Sequence, residues 1–115
     1  MSNTNEITEQ ENELIPVAMQ IILYAGDARK LADEAFKLAK EGSSQSANEK
    51  MQEAEKEILK AHRSQTQIVQ DEARGVTHQP SLLFNHAQDH LMTIMTEIRM
   101  TKKMIELYEL IVNHK

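Results

Sequence analysis

The sequence of 115 residues has no cysteine and no tryptophan, and it has only three glycines and two prolines. Without cysteine the chain has no disulfide, no thiolate nucleophile and no cysteine-ligated zinc. The glycines are too scattered to form a glycine-rich loop that cradles phosphate. No apolar run approaches membrane-spanning length, and the polar, acidic N-terminus is unlike a signal peptide. We therefore expect a cytoplasmic protein with no direct membrane insertion.

The net charge and the chain length further narrow the class of protein. The formal net charge of −5 disfavours nucleic acid as a partner, because phosphate backbones attract basic surfaces. A chain of 115 residues is long enough to bury one core and too short to divide into two domains. Methionine is frequent, at seven residues, and supplies flexible apolar side chains. These features indicate a single, mildly acidic domain.

The first half of the chain predicts one long helix. Apolar residues recur at steps of three and four from Glu9 to about Glu41. Pro16 lies either in the first turn, which moves the start to about Ile15, or at a kink. Residues 1–8 are polar and aperiodic and are predicted to be a disordered lead-in, so that the helical domain is expected to span 9–115. Gly26 either lets another backbone come close or is merely tolerated.

Two more helices follow. Gly42 is a C-cap signal, and a second helix is expected from about Ser46 to Ala73, where Gly75 stops it. A third helix is expected from Ser81, a serine N-cap after a proline, to about Asn113. No strand pattern competes, so we predict an all-α, antiparallel three-helix bundle.

The third helix is apolar over more of its circumference than a single pair of neighbouring helices would cover. A helix that is apolar nearly all round is normally buried all round. We therefore expect a homo-oligomer with the third helix near its symmetry axis. The alternative is a monomer whose excess methionines form a surface that binds a partner.

One polar stripe interrupts this apolar helix. His86, Asp89, His90 and Thr93 fall on one side of it. A polar group on an apolar face costs free energy unless it is satisfied, so the stripe is either a site or a set of paired core groups. We favour a site.

The residue types leave few chemistries for such a site. No nucleophile elbow is present, which leaves a serine–histidine hydrolase unsupported. His86 and His90 have the spacing of zinc ligands, but the glutamate expected between them is replaced by Ala87-Gln88. A histidine that itself carries a phosphoryl group needs only an accessible imidazole on a rigid element. A histidine on an apolar helix face is more often structural, and the residues alone leave these options open.

Four segments, taken together, carry a resemblance to a known family. They are ILYAGDAR at 22–29, AHRSQT at 61–66, HAQDHLMT at 86–93 and IELY at 105–108. Together they resemble the enzyme IIA family of the bacterial sugar phosphotransferase system, of the lactose/cellobiose (chitobiose) type. The resemblance extends over about residues 9 to 113, with matching segments in all three predicted helices.

The resemblance implies a trimeric three-helix bundle with a phosphohistidine at His86. In that family the histidine phosphocarrier protein donates the phosphoryl group, and a cysteine of the IIB component receives it. IIB and the membrane-embedded IIC component then phosphorylate the entering sugar, a β-disaccharide of lactose or cellobiose type. Asp89 is expected to meet its symmetry mates at the trimer axis and to share a divalent cation, usually magnesium. Buried carboxylates that meet at an axis repel unless a cation or protons compensate them.

The remaining polar residues are expected either to support the site or to have no role in it. His90 and Gln88 flank the site residues, and His62 and Gln65 belong to a second polar cluster on the second helix. We expect His78 and His114 to be solvated. Two rival hypotheses remain. One is a non-catalytic helical adaptor, and the other is a bundle that binds metal within one chain through His86, Asp89 and His90. The sequence does not identify the sugar.

Overall fold

The computed structural model describes residues 12–114, in which three α-helices and no strand occur. Helix α1 spans Leu14–Lys40, α2 spans Ser44–Ala73 and α3 spans Leu82–Asn113. The predicted all-α class and the three helices are confirmed. The disordered lead-in predicted for 1–8 and the domain boundary at residue 9 lie outside the described residues. None of the described helices is long and apolar enough to span a membrane.

Helix α1 begins at Leu14, which places Pro16 in its first turn. The missing N–H of a proline costs little there, because the first-turn amides have no partner within the helix. The amide of Leu14 donates to the side-chain oxygen of Asn12 at 2.8 Å, and Asn12 is buried. Of the two starts considered from the sequence, the one near Ile15 is therefore close to the observed start.

Glycine ends both α1 and α2 with the same motif. Gly42 and Gly75 have φ angles of +85° and +88°, in the left-handed region where a side chain would be strained. After α1, the amide of Ser43 donates to the carbonyl of Leu38 at 2.9 Å, as in a Schellman motif. The chain reverses so tightly that α2 begins at Ser44, two residues before the predicted Ser46.

Helices α1 and α3 run parallel to each other. Helix α2, which lies between them in the sequence, runs antiparallel to both. Three hydrogen bonds join α1 or its start to α3 or its start at a constant separation of 68 positions. They link Asn12 to Pro80, Arg29 to Glu97 and Lys40 to Tyr108. A constant offset is possible only for parallel elements, so the beginnings of α1 and α3 lie at the same end of the bundle.

The core is built largely on alanine. The buried side of α1 carries Ala18, Ala25, Ala28, Ala32, Ala35 and Ala39. Small side chains let helices approach closely, but each buries little apolar area. The largest fully buried side chains are Ile21, Leu91 and Ile94. Gly26 is exposed, and no atom of the described residues lies within 4 Å of where its Cβ would stand, so it serves no close approach within this part of the chain.

Candidate functional site

The N-cap of α3 fixes the start of the helix that carries the site. The side chain of Ser81 accepts a hydrogen bond from the amide of Phe84 at 3.2 Å, as the sequence predicted for a serine N-cap. Its carbonyl also accepts from the amide of Asn85 at 3.1 Å. Ser81 is buried, and both bonds fix the first turn. His86 follows in the second turn and is held by a regular helix.

His86 and Asp89 are both exposed and share one open depression of about 710 Å³. Leu82, Leu83 and Asn85 complete its lining. Leu82 is 81% exposed, more than any other large apolar residue of the described chain. An apolar rim beside an accessible imidazole is the arrangement expected where another protein docks.

His90 packs against His86. The two rings are stacked with centroids 6.1 Å apart and an angle of 18° between their planes. His90 is half-buried and lies two turns before Glu97, whose carboxylate binds Arg29 of α1 at 2.8 Å. The two histidines therefore lie on the α1 side of α3, with their ring planes nearly parallel.

The second polar cluster lies elsewhere. His62 lines a depression between α2 and α3 that shares no residue with the one at His86. Its Nδ1 is 3.4 Å from the hydroxyl of Thr66, so the two side chains satisfy each other. Gln65 and Gln88 are half-buried on α2 and α3. The structure thus brings together His86, Asp89 and His90 and places His62 in a separate depression, whereas Gln65 lines neither depression.

Asp89 supplies one carboxylate to the depression. Among residues 12–114 no three histidine, aspartate or glutamate side chains are grouped so that they could hold a metal ion. At Asp89 the described residues therefore supply no such set of ligands, and a cation there would take its other ligands from water or from other chains. The donor type suits magnesium, which prefers carboxylate and water oxygens.

The outer face of α3 carries a second regular stripe, which we call the exposed seam. Every residue of the seam is exposed in the single chain. Its members are Leu82, His86, Asp89, Thr93, Thr96, Met100, Met104, Leu107 and Ile111. They follow one another at steps of three and four, the spacing of a coiled-coil seam. The first part of the seam is mostly polar and holds His86 and Asp89, and the second part is apolar.

His78 departs from the expectation of a solvated residue. Its side chain is only 10% exposed, because the α2–α3 connection folds back over the start of α1 and the end of α2. Its Nδ1 contacts a carboxylate oxygen of Glu13, and its Nε2 lies 3.4 Å from a carboxylate oxygen of Asp71. The hydrogen bond with Glu13, followed by that with Asp71, raises the pKa of His78 above 6.5 against the opposing effect of burial. Sequence spacing gave no indication of this contact.

Comparison with known families places these residues in context. The family described as "PTS system, Lactose/Cellobiose specific IIA subunit" matches residues 16–109. The lichenan-specific phosphotransferase enzyme IIA component of Bacillus subtilis strain 168 is 44% identical over 103 residues. That match covers 90% of this chain and 94% of the relative.

Solved structures of proteins similar in sequence have the same fold as this chain. The crystal structure of the PTS cellobiose-specific enzyme IIA from Bacillus anthracis has a TM-score of 0.81 and 37% sequence identity, and the match covers 99% of this chain and 100% of that one. A solution structure of the IIA(chitobiose)–HPr complex from the Escherichia coli phosphotransferase system contains a chain with a TM-score of 0.75 and 36% identity. That match covers 86% of this chain and 96% of the other.

Proposed function

Since the chain belongs to the lactose/cellobiose-type IIA family of the sugar phosphotransferase system, we propose that it carries a phosphoryl group on His86. The observation that carries the proposal is the exposed imidazole of His86, which shares a depression with an apolar rim near the start of α3. An acceptor in a relay between proteins must be reachable by two partners in turn. His90, the other histidine on the α1 side of α3, is half-buried.

The chemistry needs few groups from the chain. A neutral imidazole nitrogen of His86 attacks the phosphorus of a donor phosphohistidine, so that one N–P bond forms as the donor's N–P bond breaks. The other imidazole nitrogen keeps its proton. In the second step a thiolate of the IIB component attacks the same phosphorus, the N–P bond breaks, and His86 leaves as neutral imidazole because its other nitrogen has kept its proton.

The position of His86 helps it to hold a dianionic group. Side chains on a helix tilt toward its N-terminus, where the free amides and the helix dipole favour negative charge. The first turn of α3 has no acidic residue to oppose this effect, but the Asp89 carboxylate in the same depression would repel the phosphoryl group unless a cation compensates it. His90 acts as a positioning residue, because its stacked ring limits the orientations open to His86.

The partners follow from the family. The complex of a relative with HPr supports the histidine phosphocarrier protein as the donor. The IIB component is the acceptor, and the IIC component of the membrane acts further on. Relatives are named for lichenan, lactose and N,N′-diacetylchitobiose, which supports uptake of a β-disaccharide of lactose or cellobiose type. We propose that the protein works in the cytoplasm, where this relay would operate.

We also propose that the protein works as a homotrimer with α3 near the axis. The exposed seam is the support, because Met100, Met104, Leu107 and Ile111 leave apolar area in water that parallel copies of α3 would cover. His86 belongs to the seam but lies at its α1 edge, and we propose that it stays within reach of partner proteins there. Asp89 of each chain would then lie near the axis, where magnesium would compensate the carboxylates.

Intact mass spectrometry tests the phosphoryl transfer. The protein is incubated with phosphoenolpyruvate, enzyme I and HPr, and wild type is compared with His86→Ala. We expect one phosphoryl addition per chain in wild type and none in the variant, since His86 is the acceptor. His62→Ala and His114→Ala are matched controls, because both histidines lie away from the depression, and both variants should still be phosphorylated.

Other outcomes point to other functions. Addition that persists in His86→Ala and disappears in His90→Ala would move the phosphoryl group to His90. Absence of addition in folded wild type would contradict the relay and favour a non-catalytic helical adaptor. A requirement for one metal ion per chain, lost in His86→Ala, would favour the bundle that binds metal through His86, Asp89 and His90.

A further inference from the structure

The half-buried histidine of the α2–α3 connection joins three parts of the chain. His78 lies in the connection, Glu13 directly precedes α1, and Asp71 lies in the last turn of α2. The side chain of Asp71 is 19% exposed, and that of Glu13 is 64% exposed. These elements come together only in the folded chain, since His78 and Glu13 are 65 positions apart.

The geometry of the ring selects one protonation state. Both nitrogens of His78 face carboxylate oxygens, Nδ1 toward Glu13 and Nε2 toward Asp71. A carboxylate can only accept a hydrogen bond, and a neutral imidazole has a single N–H to donate. Only the imidazolium donates to both carboxylates at once. Loss of its proton must therefore break at least one of the two contacts.

The charged groups around the ring also favour the protonated form of His78. From the start of α1 the ring meets Glu13, and from the end of α2 it meets Asp71. Asp71 also binds Arg74 at 2.6 Å and accepts from Gln67 at 3.1 Å, both on its other oxygen. The connection beyond His78 and the first turn of α3, residues 79–85, contain no charged side chain. Among these described groups, two carboxylates outweigh one guanidinium.

We propose that His78 is a pH-sensitive clasp that, when protonated, holds the α2–α3 connection against the start of α1 and the end of α2. Neutralising it loosens this connection, which leads through Ser81 into the helix that carries His86. The clasp does not work alone, because Asn12 donates to the carbonyls of Gln79 and Pro80 at 3.0 and 3.1 Å. These two bonds do not depend on pH, so the connection loosens without being released. The clasp is independent of the proposed phosphoryl transfer.

The direction of the pH dependence is fixed by the geometry. The contacts with Glu13 and Asp71 raise the pKa of His78 in the folded chain above its ordinary 6.5. The stabilisation is therefore complete below about pH 6.5 and is lost as the pH rises through the raised pKa. Each unit by which the closed clasp raises the pKa changes its closing equilibrium about tenfold.

Two measurements on the full-length protein test the clasp together. NMR titration gives the pKa of the His78 ring, and amide hydrogen exchange, corrected for intrinsic exchange, gives the protection of Val76, Phe84 and Asn85 between pH 5.5 and 8.5. These amides donate hydrogen bonds at the two ends of the connection. We expect a pKa above 6.5, the ordinary value for histidine. Protection should fall with rising pH, by a factor that matches the measured elevation of the pKa.

Variants separate the clasp from general effects of pH. In His78→Gln the protection should no longer depend on pH, whereas His114→Gln should behave like wild type. Glu13→Gln keeps the exposed position and removes one carboxylate, so it should lower the pKa of His78 without unfolding the protein. A His78 pKa at or below 6.5, or equal pH dependence in wild type and His78→Gln, would overturn the proposal.

Discussion

At the level of single residues, burial separates two histidines that sequence spacing alone treats as equals. His86 and His90 are one helical turn apart, and their rings are stacked. His86 is exposed and His90 is half-buried, because His90 lies farther toward α1. Helical periodicity predicts that both residues share a side of α3. It does not predict which of them the neighbouring helix covers, since that depends on how α1 and α3 pack.

Asp89 gives a prediction at the same scale. If three copies of this carboxylate meet at a trimer axis, they repel in the absence of a cation. Magnesium should then raise the thermal unfolding midpoint of wild type, and at 100 times its dissociation constant it should add about 2.7 kcal/mol of stability. Asp89→Asn should unfold at a higher temperature than wild type in a chelator and should not respond to magnesium.

Asp33→Asn is the matched control for that comparison. Asp33 is an exposed aspartate on α1 and is not part of the exposed seam. The variant should keep the wild-type response to magnesium. An identical response in wild type and Asp89→Asn would show that any cation effect arises elsewhere and would remove the axial site.

At the level of helices, two serine N-caps differ in a testable way. The side chain of Ser81 accepts a hydrogen bond from Phe84, whereas Ser43 at the start of α2 makes no such bond. Ser81→Ala should therefore lower the free energy of unfolding by about 1 kcal/mol, the usual cost of losing a side-chain cap. Ser43→Ala should change it by less than about 0.5 kcal/mol. Urea denaturation followed by circular dichroism measures both, and equal losses would contradict the assigned cap.

The ends of the helices could be predicted because their causes are local. Gly42 and Gly75 stop α1 and α2 through backbone conformations that favour glycine, and Ser81 caps α3 directly after Pro80. The environment of His78 could not be predicted in this way. It depends on Glu13, 65 positions away, which reaches the connection only after α1 and α3 have packed in parallel.

At the level of the whole molecule, the single chain leaves much of its apolar surface in water. Its core relies on alanine along α1, so the three helices bury little area among themselves. Leu107, Leu110 and Ile111 are each at least 58% exposed near the end of α3. The sequence predicted this excess from the wide apolar circumference of the third helix. It could not predict that the excess forms a stripe opposite the buried face.

The exposed seam leads to the last prediction. Leu107 is 58% exposed in the single chain, and covering the part of this side chain that remains in water is worth about 1–2 kcal/mol. Leu107→Glu removes that gain and places like charges close together in the proposed trimer, so it should yield monomers with unchanged helix content. Light scattering after gel filtration measures the mass, and circular dichroism measures the helix content.

A control on α2 separates association through the seam from nonspecific association of exposed apolar residues. Leu59 is 44% exposed and lies on α2 beside the His62 depression, so Leu59→Glu introduces the same charge away from the seam. This variant should keep the mass of wild type, since the proposed trimer is formed by α3. If wild type itself has the mass of one chain, the seam does not join copies of this protein. Its methionines and leucines would then form a surface for a different partner, as the adaptor hypothesis requires.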